Sequence, residues 1–187
     1  MYEFDKVIAV TDRKLCYDDF TTRVRNILDR KPFLVILREK DLSDNDYESL
    51  AREIIGESDD NKLRLSLNRP DIAIRLGVEN VHLTIYGIRQ GRPDIKRVGV
   101  SVHSVDEAIE AEKLGADYLI AGHIYATDCK KGVPPRGIAF LKEVVNSVDI
   151  PVFAIGGIDE HNFAEPIENG AAGVCLMSRL MTCPLWE

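Results

Sequence analysis

Several reactive side-chain types fall in one short stretch of the chain, Ala121-Gly122-His123-Ile124-Tyr125-Ala126-Thr127-Asp128-Cys129-Lys130-Lys131-Gly132, which brings together an imidazole, a hydroxyl, a thiol and two ammonium groups. An imidazole gives and takes protons near neutrality because its reference pKa is ~6.5. The stretch follows the apolar run Tyr118-Leu119-Ile120-Ala121, so a strand end would deliver His123 to an open rim as an acid/base group. The alternative is a histidine that caps the fold and hydrogen-bonds a carbonyl. Cys129 could be a nucleophile if Lys130 and Lys131 stabilised its thiolate. No partner base is fixed by the sequence, and a polar loop role suits it better.

A second group concerns anions. Ile155-Gly156-Gly157-Ile158-Asp159 pairs with Met177-Ser178-Arg179. Glycines let backbone N–H groups approach a ligand, and a helix start supplies further donors, a combination that holds phosphate. The competing reading of Gly156 and Gly157 is a tight turn. Arg38-Glu39-Lys40, after the apolar run Phe33-Leu34-Val35-Ile36-Leu37, could clamp an anion as well. Ser101 and His103 share a strand face, being two residues apart. His82 lies between Val81 and Leu83 and suits packing, and His161 suits a helix surface. A metal site is not expected, because Asp12, Asp41 and Asp128 are scattered.

The elements that must position these groups fit one chain of 187 residues with 45% hydrophobic and 29% charged content. One domain covering residues 1–187 is expected. The formal net charge of −7 argues against a nucleic-acid partner, which needs clustered Lys and Arg. No apolar run approaches the ~20 residues of a membrane span, and the start of the chain lacks a signal-peptide pattern. A cytoplasmic protein with no membrane partner is expected. Cys16, Cys129, Cys175 and Cys183 lack metal or redox spacing, so reduced thiols are expected.

Apolar runs that end in polar residues recur along the chain. Lys6 to Thr11, Phe33 to Leu37, Lys62 to Leu67, Val81 to Thr84, Val98 to His103, Tyr118 to Ala121, Pro151 to Ile155 and Gly173 to Met177 read as strands. Helical spacing follows several of them: Val24, Ile27 and Leu28; Tyr47, Leu50, Ala51, Ile54 and Ile55; Val105, Ala108, Ile109 and Leu114; Ile138, Leu141, Val144 and Val145. Ser43 and Ser104 are candidate caps, and Pro70 suits a first turn. Gly77, Gly115 and Gly170 each precede a new strand, as left-handed helix caps do. Eight such units point to an α/β chain folded as a compact (β/α)8 TIM barrel, with an open doubly wound sheet as the alternative. A barrel typically needs ~250 residues, so helices must be trimmed, most plainly over residues 86–93 and 181–187.

In a barrel every strand C-terminus reaches one rim. Thr11, Arg13, Arg38, Lys40, Asn68, Ser101, His103, His123, Thr127, Lys130, Gly156, Gly157 and Ser178 would then converge there.

Thr11-Asp12-Arg13, Leu37-Arg38-Glu39-Lys40-Asp41, Val98 to His103, Gly122-His123 through Lys130, Ala154-Ile155-Gly156-Gly157-Ile158 with Asn162, and Met177-Ser178 together resemble the thiamine phosphate synthase and TenI superfamily along nearly the whole chain. The resemblance implies a barrel that holds a thiazole phosphate at its rim. Its synthase branch joins that phosphate to a pyrimidine pyrophosphate. The synthase pattern has a glutamine where this chain has Ile36, Mg²⁺-binding aspartates after strands three and four, and Gly-Pro where this chain has Gly122-His123. Arg69 follows Asn68 at one aspartate position, and Val81 to Tyr86 offers no acid. The sequence is therefore more similar to the thiazole tautomerase branch, an isomerase that aromatises a carboxylated thiazole phosphate by a proton shift.

On that resemblance His123 is the catalytic group. Gly156, Gly157 and Ser178 hold the phosphate, and Arg38, Lys40, Ser101, Thr127 and Lys130 surround the substrate. No cofactor is expected, since the conjugated substrate delocalises the developing charge. The partner expected is a small-molecule thiazole phosphate, with homo-oligomerisation left open. The synthase reaction and a non-catalytic binder of thiazole or thiamine phosphate are the alternatives.

Overall fold

A computed structural model describes residues 3–182. Eight parallel strands, β1 (Val7–Val10), β2 (Leu34–Leu37), β3 (Leu65–Leu67), β4 (Asn80–Thr84), β5 (Arg97–Val102), β6 (Tyr118–Gly122), β7 (Val152–Ile155) and β8 (Gly173–Leu176), close in sequence order. Ile8 pairs with Leu34 on one side and with Cys175 on the other, so no sheet edge is left. The fold is the expected (β/α)8 barrel.

Strand alternation divides the apolar residues into two populations. Ile8, Val10, Leu34, Ile36, Tyr118, Ile120, Phe153 and Cys175 form the inner cluster. Val7, Ala9, Val35, Leu37, Leu65, Leu67, Leu119 and Ala121 belong to the outer one, under the helices. Inside, Phe33 lies 4.7 Å from Phe153 between ring centres, and Tyr118 stands edge-on to both. Gly99 makes this possible: a Cβ there would sit 2.0 Å from Tyr118 Cζ.

The helices are α1 (Phe20–Asp29), α2 (Asp44–Ile55), α3 (Asp59–Arg64), α4 (Pro70–Leu76), α5 (Ile85–Arg89), α6 (Val105–Lys113), α7 (Gly137–Ser147), α8 (Ala164–Glu168) and α9 (Ser178–Thr182). The expected caps form: Ser43 Oγ accepts from Asp46 N and Ser104 Oγ from Glu107 N. Each replaces a missing intrahelical partner, worth ~1 kcal/mol. Gly77 ends α4 in the left-handed conformation at φ 67°, and Pro70 opens it.

Three expectations are corrected. Residues 62–64 are helical rather than strand, because Asp59 and Asp60 in the first turn and Lys62 and Arg64 in the last suit the helix dipole. Residues 85–89 do form a helix, one short turn capped by the Thr84 hydroxyl on Gly87 N. Leu114, expected to face inward, ends α6 partly in solvent. Cys183 and most of the expected 181–187 trimmed tail lie outside the described residues.

Candidate functional site

The C-terminal rim is built most firmly between β1, β2 and β3. Thr11, fully buried after β1, donates its hydroxyl to Glu39 Oε1 at 2.6 Å and accepts from Arg38 N at 3.0 Å. Glu39 is also buried, and its carboxylate accepts from Arg13 N and Arg13 Nη1 at 3.2 Å. Arg13 continues to Asp41 through two bonds of 2.6 and 2.9 Å, and this guanidinium, with Lys14, holds the Asp41 carboxyl well below the usual range. Tyr47 on α2 joins the next pair of strands. Its hydroxyl donates to Leu37 O at 2.7 Å and accepts from Asn68 N at 3.2 Å. Arg38 thus leaves a backbone fixed from both sides.

Alternation places Arg38 two residues beyond inward-facing Ile36, toward the barrel mouth. Neither the Arg38 nor the Lys40 side chain has a carboxylate partner among the described residues, and both are exposed. They repel one another: Arg38, and then burial, lower the Lys40 pKa. Arg69, in contrast, is engaged, donating to Asp44 Oδ1 at 2.5 Å and Leu42 O at 2.6 Å while stacking on Tyr47 with 4.3 Å to the ring centre.

Below them lies a polar floor. His82 points inward from β4, with Nδ1 3.1 Å from the Tyr118 hydroxyl and Nε2 2.8 Å from Ser101 Oγ. Burial, with a smaller push from the Arg38 charge, lowers the His82 pKa to about 3, so the ring is neutral. Ser101 is therefore tied to His82, whose polar contacts are more than its sequence neighbours suggest. Alternation along β4 is the signal that finds it: Val81 faces the helices, which turns its neighbour His82 inward. His103 has its Nδ1 2.8 Å from Gly122 O, tying β5 to β6.

His123 follows the end of β6. Tyr118 and Ile120 face inward on β6, and the strand ends at Gly122, which a cis peptide bond joins to His123. Its side chain is 4% exposed, and Nε2 lies 3.3 Å from Val133 O. His123 O accepts from Arg136 N at 3.0 Å. These contacts anchor the long loop. Thr127 Oγ1 accepts from Cys129 N at 3.4 Å, and Lys130 is exposed on the same loop.

Gly156 and Gly157 follow β7 with φ of 104° and 66°. A Cβ would fall 2.3 Å from His123 Cβ at the first and 2.4 Å from Ala126 O at the second. Glycine here lets the β7 end lie against the His123 loop, a packing need beyond any approach to a ligand. Ser178 opens α9, exposed beyond β8.

A divalent cation would need clustered oxygen or imidazole donors. Among the described residues no group of three His, Cys, Asp or Glu side chains could hold one. Glu39, Asp41 and Asp44 are each bound to arginine. Asn68 Oδ1 is buried without a hydrogen-bond partner, but a lone amide oxygen beside a guanidinium does not make a cation site. The residues present do not fit Mg²⁺.

The model of the thiamine monophosphate synthase family (TMP-TENI) matches residues 7–180. The chain belongs to this family. Among its relatives, the thiamine-phosphate synthase of Clostridium acetobutylicum is 35% identical over 184 residues, covering 95% of this chain and 87% of that one. A putative thiamine-phosphate synthase 2 from Aquifex aeolicus is 36% identical over 188 residues, covering 96% and 99%. The structure of a thiamine phosphate pyrophosphorylase from Pyrococcus furiosus matches with a TM-score of 0.75 at 31% identity, covering 95% and 88%. These family members are named for a transferase reaction. The expected thiazole tautomerase, an isomerase, is corrected on that ground: similarity over nearly the whole chain outweighs the Gly122-His123 signature.

Proposed function

We propose that the chain is a transferase of the thiamine phosphate synthase type, joining a thiazole phosphate to a pyrimidine pyrophosphate with release of pyrophosphate. The observation that carries this reading is the Arg38 and Lys40 pair, without a carboxylate partner among the described residues and mutually repelling on a rim otherwise rich in matched charges. Two adjacent cations without counter-charges suit a polyanion. As the leaving group departs, negative charge grows on its oxygens, and fixed cations stabilise that charge more than they stabilise the ground state. Arg38 offers paired N–H donors and Lys40 a point charge.

The other side of the mouth suits the single phosphate. Gly156, Gly157 and Ser178 offer backbone and hydroxyl donors there, with Thr127 and Lys130 on the neighbouring loop. Ser101, oriented by neutral His82, lies between the two anion positions in strand order and orients the rings. His123 moves no proton in this scheme and keeps the loop in place. No step is routed through a metal, because the donors do not fit one.

The test is a coupling assay with purified protein, following pyrophosphate release and thiamine phosphate formation from the two substrates. Turnover that falls with Arg38→Ala supports the reading. Tight binding of thiazole or thiamine phosphate without turnover overturns it in favour of a binder.

A further inference from the structure

The rim that would receive a leaving pyrophosphate contains the wrong charges for a magnesium site and suitable charges for an anion. At the end of β3, Arg69 stands beside Asn68, its guanidinium fixed by Asp44, Leu42 O and the Tyr47 ring. A cation brought to this corner would meet Arg69, Arg38 and Lys40 together. The nearby carboxylates cannot turn to it freely: Glu39 is buried on Thr11 and Arg13, and Asp41 is held by Arg13 and Lys14. Lys40 already feels an excess of positive charge, since Arg38 depresses its pKa. A dication would add to that excess, whereas a diphosphate would relieve it. Asn68, beside Arg69 at the end of β3, carries an amide whose N–H groups can donate to the same anion, its Oδ1 being buried without a hydrogen-bond partner.

We propose that this barrel mouth binds a diphosphate without a metal, Arg38 and Lys40 supplying the positive charge and Asn68 an amide donor. The assignment of this diphosphate as the leaving group rests on the coupling reading; its metal independence does not. Paired N–H groups on Arg38 match two oxygens of one phosphate, and Lys40 reaches the other. The cradle is preset, because Thr11 holds Arg38 N and Tyr47 ties the β2 and β3 ends.

Calorimetric titration of the purified chain with sodium pyrophosphate, once in EDTA and once in excess Mg²⁺, decides this. Binding in EDTA should be at least as tight as in Mg²⁺ and should weaken with added salt. Arg38→Ala and Lys40→Ala should each weaken it roughly tenfold or more, the worth of a charge-assisted contact. Arg38→Lys should recover part of the loss. Both side chains are exposed, and an unchanged thermal transition in the variants would show that the fold is intact. Binding only in Mg²⁺, no binding in either buffer, or variants that bind like wild type would overturn the proposal. Coupling measured on the same samples separates the two readings. Pyrophosphate bound in EDTA without coupling in either buffer keeps the diphosphate site and removes the synthase reading. Coupling and binding that both demand Mg²⁺ do the reverse.

Discussion

At the end of β2, Arg38 and Lys40 stand without a carboxylate partner among the described residues, over a backbone that Thr11 and Tyr47 fix by hydrogen bonds. At the end of β6, His123 is buried, bonded to Val133 O, and serves its own loop. Both stretches are polar and both follow apolar strands. What separates them is burial: Arg38 and Lys40 are exposed, whereas His123 is enclosed by its own loop. Along β2 and its end, one residue of phase separates Ile36 and Arg38, on the inner face, from Leu37 and Glu39. The same phase puts a carboxylate, Glu39, under the β2 rim, where it orders Arg13 and Thr11 and leaves the cations above it free.

The contrast can be broken most forcefully at Glu39. Glu39→Ala leaves Arg13 without its buried partner and should cost about 3 kcal/mol of unfolding free energy in urea, as removal of one member of a buried pair does. A loss within error would mean that the β2 rim is not built on this carboxylate.

Arg38→Ala should lower kcat/KM for coupling by about 100-fold, and His123→Gln by less than about fivefold, in steady-state assays. The opposite ranking would return the chemistry to β6.

Gly157→Ala tests the packing of the β7 end on the His123 loop. With φ at 66° and a Cβ 2.4 Å from Ala126 O, it should destabilise by about 2 kcal/mol in thermal or urea unfolding. A neutral substitution would show that the loop yields. Tyr47→Phe removes the hydroxyl between Leu37 O and Asn68 N and should cost about 1.5 kcal/mol. It should also raise KM for the pyrophosphate substrate more than it lowers kcat; equal effects on both would make Tyr47 a purely structural residue.

The smallest effect is a pH dependence. His82 is held neutral in the fold, with its pKa down at about 3, whereas the unfolded chain takes up a proton below ~6.5. The unfolded state binds more protons between these values, so this contribution to stability is full above ~6.5 and declines as pH falls toward 3. His82→Gln should flatten that part of a urea-midpoint profile relative to wild type; an unchanged slope would place the titration elsewhere.

Much of this was legible in the residues. Apolar runs ending in charge gave the order and number of strands, since parallel barrel strands are covered on both sides and need no polar alternation. That same lack of alternation hid the facing of individual residues. In Tyr118-Leu119-Ile120-Ala121-Gly122 every side chain is buried, and only the closed structure separates the inner from the outer ones. Tyr47 was recognisable as a buried helix residue, but the targets of its hydroxyl lie on two other strands. Residues 62–64 misled because Lys62, Leu63 and Arg64 alternate as a strand would, although Leu63 is exposed and Asp59 and Asp60 start a helix just before it.

Gly99 has a reach beyond its own place in β5. Its missing Cβ is the space in which the Tyr118 ring lies, and the Tyr118 hydroxyl in turn meets His82, which meets Ser101 at the mouth. A methyl group added at Gly99 would displace that ring and, through it, the His82–Ser101 pair on which, in the proposed function, the substrate rings would rest. Variation at Gly99 would thus register as a change in substrate preference, though its own position lies beneath the substrate-facing surface.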